Sequence, residues 1–170
     1  MSEDGAERVF TLSSRWRMRE PIDLRPIFEA DVSAWIAPTC RMHGQRWPRG
    51  LVKVDRGWLM TAPLAEVLQR HSTVRDPVRF LPVTVSSEHY RRSWPYVHVL
   101  PSTHLYVLDT EACLPLPQPQ ETPIFARRLV YRLHVFFTER YLCVSGDIAE
   151  ELDDMGIDPA QIELRERPVV

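Results

Sequence analysis

The chain has 170 residues, 44% hydrophobic and 26% charged, with a formal charge of −2 and a pI near 6.3. That length suits one domain, or two small lobes sharing a core, and it buries roughly 70% of the unfolded surface without a metal or disulfide staple. The charge balance lacks the basic footprint that general nucleic-acid binding needs, and no run approaches the roughly 18 apolar residues of a membrane span or resembles an export signal.

Cys40, Cys113 and Cys143 are odd in number and far apart, so a disulfide framework is not indicated and a cytoplasmic protein is expected. Fifteen prolines against six glycines predict short strands and stiff loops. Residues 1–7 are polar. Residues 8–19 mix Val9, Phe10, Leu12, Trp16 and Met18 with four arginines, and Arg15-Trp16-Arg17-Met18-Arg19 alternates strictly, as a half-exposed strand does. Residues 28–36 fit a strand or a short helix equally well. Residues 38–50, with Cys40, His43, Gly44, Trp47, Pro48 and Gly50, read as a loop. Leu51-Val52-Lys53-Val54 and Gly57-Trp58-Leu59-Met60 flank Asp55-Arg56 and predict either a hairpin or a strand with a bulge. A helix follows, with Thr61 as its cap, Pro63 in its opening turn and Leu64, Val67 and Leu68 as its apolar stripe.

Residues 80–85 and 96–108 are strand candidates, the second broken at Pro101. Alternating prolines over residues 114–123 predict an extended connector, the one plausible internal boundary. Residues 124–144 read as strand, Val130, Arg132 and His134 alternating with Leu129, Tyr131, Leu133 and Val135. A second helix, capped by Ser145, ends at Met155-Gly156-Ile157, where glycine takes the left-handed conformation and Ile157 folds back on the last turn. Ile148, Leu152 and Met155 share one face of it, while Asp147, Glu150, Asp153 and Asp154 point largely the other way.

The two helical segments echo each other. Aligning Thr61 with Ser145 gives an offset of 145 − 61 = 84, at which Ala65/Ala149, Glu66/Glu150 and Leu68/Leu152 are identical. Asp76-Pro77 and Asp158-Pro159 follow, two residues out of step at 158 − 76 = 82. The repeated unit is strand, capped helix, Asp-Pro, strand.

No constellation completes a catalytic or metal site. Cys40-Arg41-Met42-His43 has a zinc-compatible spacing but no second ligand pair follows, so no metal is expected. His98 and His104, with Ser102 and Thr103 between them, lack an orienting acid and a nucleophile turn; His71 and His89 are isolated. Glu150-Glu151 and Asp153-Asp154 are adjacent on a helix, so their side chains diverge and do not share a proton. Phosphate loops and dinucleotide fingerprints are absent, and no cofactor is expected. The acidic face of Asp147, Glu150, Glu151, Asp153 and Asp154 reads either as a solvated helix face or as a docking surface for a basic partner, with Trp47 and Trp94 as candidate anchors.

The repeated unit with its surroundings resembles a family of bacterial immunity proteins that protect cells from polymorphic and contact-delivered toxins. The residues that carry the likeness are Val78-Arg79-Phe80-Leu81-Pro82-Val83, the run ending in Leu108-Asp109, the segment at 124–137, and Leu142-Cys143-Val144-Ser145 with its helix, Met155-Gly156-Ile157 and final strand. A related group carries paired Cys-x-x-Cys-Gly motifs that this sequence lacks, so no metal is carried over. The resemblance implies a small cytoplasmic α+β protein that binds the C-terminal domain of a cognate toxin stoichiometrically and occludes its active site without catalysis. It takes neither nucleic acid nor membrane as partner.

The expectation is therefore an α+β domain over residues 1–170 with a mostly antiparallel sheet, two short capped helices and two related strand-helix-strand units. Its alternative form is two intimately packed lobes, 1–113 and 124–170, joined by the Pro-rich connector. The alternative functions are a small hydrolase or transferase centred on His98 or His104, and a non-enzymatic adaptor subunit.

Overall fold

A computed structural model describes residues 8–13, 22–25, 39–42, 50–54, 57–87, 89–103, 105–113, 123–138, 140–157 and 162–170. The fold is α+β. Its strands are β1 (Val9–Ser13), β2 (Ile22–Arg25), β3 (Thr39–Met42), β4 (Leu51–Lys53), β5 (Trp58–Thr61), β6 (Val78–Ser87), β7 (Arg92–Pro101), β8 (Val135–Phe137), β9 (Leu142–Ser145) and β10 (Glu163–Arg167). Its helices are α1 (Ala62–His71), α2 (Thr110–Cys113), α3 (Arg127–Val130) and α4 (Gly146–Asp154). The strands form a six-stranded sheet, β2-β3-β6-β7-β5-β4, and a four-stranded sheet, β10-β1-β9-β8. Among the described residues every pairing of these named strands is antiparallel except β3 with β6.

The offset of 84 runs much further than the echoed helices. Leu51 faces Met60 and Val135 faces Val144. Phe80 and Leu164, again 84 apart, hold matching places opposite Val99 and Leu12. The second strand of each unit is thus in step with its helix, although Asp76 and Asp158 are two residues out of step in the sequence. One core serves both units. Leu51 and Val135, Met60 and Val144, Leu64 and Ile148, Ala65 and Ala149, and Leu68 and Leu152 all lie in it, and α1 packs on α4. Two smaller clusters cover the outer faces: Val52, Leu59, Val83, Val85 and Tyr96 on the larger sheet, and Val9, Phe136 and Cys143 with Val107, Phe125 and Val130 on the smaller.

Prolines fall where the ladder has no use for an amide. Pro82 and Pro95 lie in β6 and β7, but β3 pairs only with Thr84–Ser87 and β5 only with Tyr96–Val99, so each proline is locally at an edge. Gly57 closes the β4–β5 hairpin at φ +94°, and a Cβ there would meet the Val99 carbonyl oxygen at 2.1 Å.

Several expectations need correction. The expected loop at 38–50 contains β3, a strand because its backbone is paired on both sides, with β2 and β6. The strand expected through Val130, Arg132 and His134 is broken. Arg127–Val130 is a helical turn, Arg132 has φ +66°, and only Val135–Phe137 is extended. Thr61 and Ser145 occupy N-cap positions in extended conformation, but neither side chain makes a cap bond. In α4 the Arg8 carbonyl accepts the bond from the Gly146 amide, and the Ser145 hydroxyl lies 3.3 Å from His134 Nδ1. In α1 proline in the first turn removes one donor that would otherwise need a partner.

The sheets also ignore the 1–113 and 124–170 division, because β1 lies between β9 and β10. The C-terminal end of α4 is as expected: Gly156 has φ +64°, its amide bonds to the Asp153 carbonyl, and Ile157 packs on the core. The alternating strand at 15–19, the segment 28–36, residues 114–122 and Asp158-Pro159 lie outside the described residues.

Candidate functional site: the α4 face

Helix α4 buries Ile148, Ala149 and Leu152 and turns its carboxylates outward, as its apolar spacing requires. Those carboxylates fall into two groups. Glu150 and Glu151 diverge and are held by the protein itself. Glu150 accepts a hydrogen bond from Arg8 Nη1 at 3.0 Å, while the rest of the Arg8 guanidinium forks onto both oxygens of Glu166 at 2.9 and 3.1 Å. That hydrogen bonding holds the Glu166 carboxyl below the usual carboxylate range. Glu151 bridges to α1. His71 Nε2 lies 2.6 Å from Glu151 Oε2, and Arg70 donates to Glu151 Oε1. Hydrogen bonding to His71, reinforced by the Arg70 charge, holds the Glu151 carboxyl below its ordinary value.

His71, isolated in sequence, is therefore part of the clamp between the two long helices. Asp147, Asp153 and Asp154 form the second group: among the described residues no side chain pairs with them, and Asp153 and Asp154 are exposed. The five carboxylates do share one helix, but only these three are uncommitted among the described residues.

Trp94 is half-buried in β7. It pairs with Val85 and meets Tyr90 edge to face at 6.4 Å, in the other sheet from the one that leads into α4. Trp47, His43 and His104 lie outside the described residues, and of Cys40 only the strand backbone is described. His98 is 7% exposed in the middle of the larger sheet, opposite Leu59 and Leu81. Among the described residues no three His, Cys, Asp or Glu side chains converge to hold a metal ion. Cys143 is fully buried, which pushes its thiol pKa up and keeps it protonated.

Sequence reasoning missed one cluster. Asp76 is 7% exposed; its carboxylate accepts hydrogen bonds from the Thr73 amide at 2.6 Å and the His134 amide at 2.8 Å. The His134 ring in turn lies 3.3 Å from the Ser145 hydroxyl. An acid, a histidine and a serine at a helix start have the composition of a hydrolytic triad. Their geometry differs from one, since Asp76 holds the backbone rather than the ring of His134, and Ser145 is 1% exposed. The cluster ties the loop after α1 to the strand pair before α4. No local signal announces it, because Asp76 and His134 are 58 positions apart.

A second surface, also unforeseen, is an open cavity of about 580 Å³ lined by Asp109, Ala126, Arg127, Arg128, Tyr131 and Val170. Tyr131 and Leu129 are exposed, and Arg132 stacks on the Tyr131 ring.

No protein-family model matches the chain, and no curated protein matches it either. No helix among the described residues is long and apolar enough to cross a membrane.

Proposed function

We propose that this is a cytoplasmic immunity protein that neutralises one cognate bacterial toxin by tight one-to-one binding, with the outward face of α4 against a basic surface around the toxin's active site. The observation that carries the role of α4 is its contrast with α1. The two helices occupy matching places on matching sheets, and Leu64, Ala65 and Leu68 are buried as Ile148, Ala149 and Leu152 are. Outside, α1 has Pro63, Gln69 and Arg70 where α4 has Asp147, Asp153 and Asp154. The fold thus accepts neutral and basic residues at these positions, so the acidity of α4 is not a requirement of folding.

Carboxylates on a rigid helix speed encounter with a basic partner and penalise wrong partners. Occlusion needs a complementary surface of about 1,600 Å² in total and a few buried anchors rather than a catalytic group. Arg8, Arg70 and His71, by fixing Glu150 and Glu151, stiffen the platform and lower the ordering cost on binding. The resemblance in hydrophobic punctuation to immunity proteins supplies the class of partner.

Co-expression tests this reading. The C-terminal domain of the large toxin encoded by the neighbouring reading frame is produced in a bacterium with and without this protein, and growth and co-purification are followed. Rescue with a stable one-to-one complex is expected; rescue with no complex, or no toxicity to rescue, would overturn it.

A further inference from the structure

We infer that the chain is a fused pair of one unit, residues 9–87 and 92–170, whose first strands have been exchanged, and that the surface each half presents to the other is an interface for a second copy of the same unit. The correspondence covers both sheets. In the first half Leu24 pairs antiparallel with Cys40, which pairs parallel with Val85. In the second, Leu108 pairs antiparallel with Phe125, which pairs parallel with Val169. Leu24 and Leu108, and Val85 and Val169, are again 84 apart.

The irregular connections match too. The Thr61 amide bonds to the Gly50 carbonyl at 3.0 Å and the Ser145 amide to the His134 carbonyl at 2.9 Å. At the hairpin turns, the Val54 amide bonds to the Gly57 carbonyl at 3.2 Å and the Thr138 amide to the Tyr141 carbonyl at 3.0 Å. All four residues of the first half recur 84 positions later. Separate origins would not be expected to reproduce strand order, strand direction, register and loop bonds together.

One strand breaks the rule, and it breaks it reciprocally. The place between β5 and β6 is filled by β7, with Val99 opposite Trp58 and Phe80. The place between β9 and β10 is filled by β1, with Leu12 opposite Leu142 and Leu164. Val99 and Leu12 are 99 − 12 = 87 apart, so β1 and β7 are the twin strands that open each half. Each lies in the other half's sheet. Removing an interior strand leaves the facing amides and carbonyls of both its neighbours unpaired, so neither half closes its sheet alone. Exchange of an identical element between two copies is a low-cost route to a two-fold dimer. Here α1 against α4 is the isologous contact, and the β6–β7 turn is the covalent link.

The test is to place a protease site in that turn, at residues 89–91, in the full chain and to cut the folded protein. The two pieces are expected to elute together as one particle in native buffer, to part only in denaturant, and to show an unfolding midpoint that rises with protein concentration. One piece eluting alone and folded would overturn the inference, since its sheet would then close without its twin's strand. If the inserted site unfolds the chain, cross-strand NOEs in the uncut protein decide. Contacts from Leu12 to Leu142 and Leu164, with contacts from Val99 to Trp58 and Phe80, are expected. Contacts from Leu12 to Trp58 or Phe80 would place β1 in its own half and overturn the exchange.

Discussion

Helices α1 and α4 are the same element twice inside and two different elements outside. Toward the core they present Leu64, Ala65 and Leu68 against Ile148, Ala149 and Leu152, all at most 4% exposed. Toward solvent one is mixed and the other acidic. One interior position separates them: Val67 is buried, whereas the matching Glu151 is half-buried and clamped by Arg70 and His71. Packing fixes the inner face because each lost methylene is felt in a dense interior. The outer face is free to answer to a partner.

The comparison is broken most severely in the core. Leu68→Ala and Leu152→Ala should each lower stability by about 2–5 kcal/mol, and by similar amounts if the two sites are equivalent. Urea denaturation of both variants measures this, and a large inequality would mean that the shared core is not shared evenly. Asp76→Ala leaves the Thr73 and His134 amides without their charged acceptor and should cost about 2–3 kcal/mol. Because one of these amides, that of His134, belongs to the other half, this variant reports on the tie between halves.

Gly57 and Gly156, two of the left-handed glycines, differ in kind. Gly57→Ala meets both its φ and the Val99 carbonyl, whereas Gly156→Ala has nothing within 4 Å and meets φ only. The second should cost roughly 1–2 kcal/mol and the first clearly more, as read by thermal unfolding.

The clamp between the helices carries a pH signature. The folded-state pKa of Glu151 is depressed, so its contribution is fully present above the ordinary value of 4.5 and is lost as pH falls through the lowered value. In Glu151→Gln the acid limb of the stability profile should therefore be shallower below pH 4.5, and an unchanged limb would show that the clamp is not formed in solution.

What the sequence revealed was local. The hairpin at 51–60, the glycine stop of α4, its amphipathic faces and the offset of 84 all lie in runs where neighbouring residues determine the outcome. What it concealed was pairing across distance. Thr39–Met42 alternates over only four residues, too short a run to stand out, and is extended because two partners hold it. Leu129–Val135 alternates like a strand, yet the Ala126 carbonyl accepts bonds from the Leu129 and Val130 amides and Arg127–Val130 forms a helical turn. Thr61 and Ser145 have cap chemistry, but Ser145 is buried beside His134, and its hydroxyl goes there instead. The exchange of β1 and β7 is invisible to an alignment at 84, since those strands match at 87. Of the acidic face, the sequence showed which residues share a helix side; it did not show that Glu150 and Glu151 are occupied by Arg8, Arg70 and His71, residues distant in the chain.

The most direct measurement gives α4 an exterior without its three aspartates, with Gln and Arg at 153 and 154 as at the matching places of α1, and Ala at 147 in place of the proline of α1. The triple variant Asp147→Ala, Asp153→Gln, Asp154→Arg should keep its stability within about 0.5 kcal/mol, because none of the three side chains makes a described hydrogen bond or ion pair. Its growth protection and toxin affinity should fall at least tenfold, with the remaining binding less sensitive to salt. A variant that is folded, and that protects and binds as the parent does, would contradict the assignment of this face to the toxin.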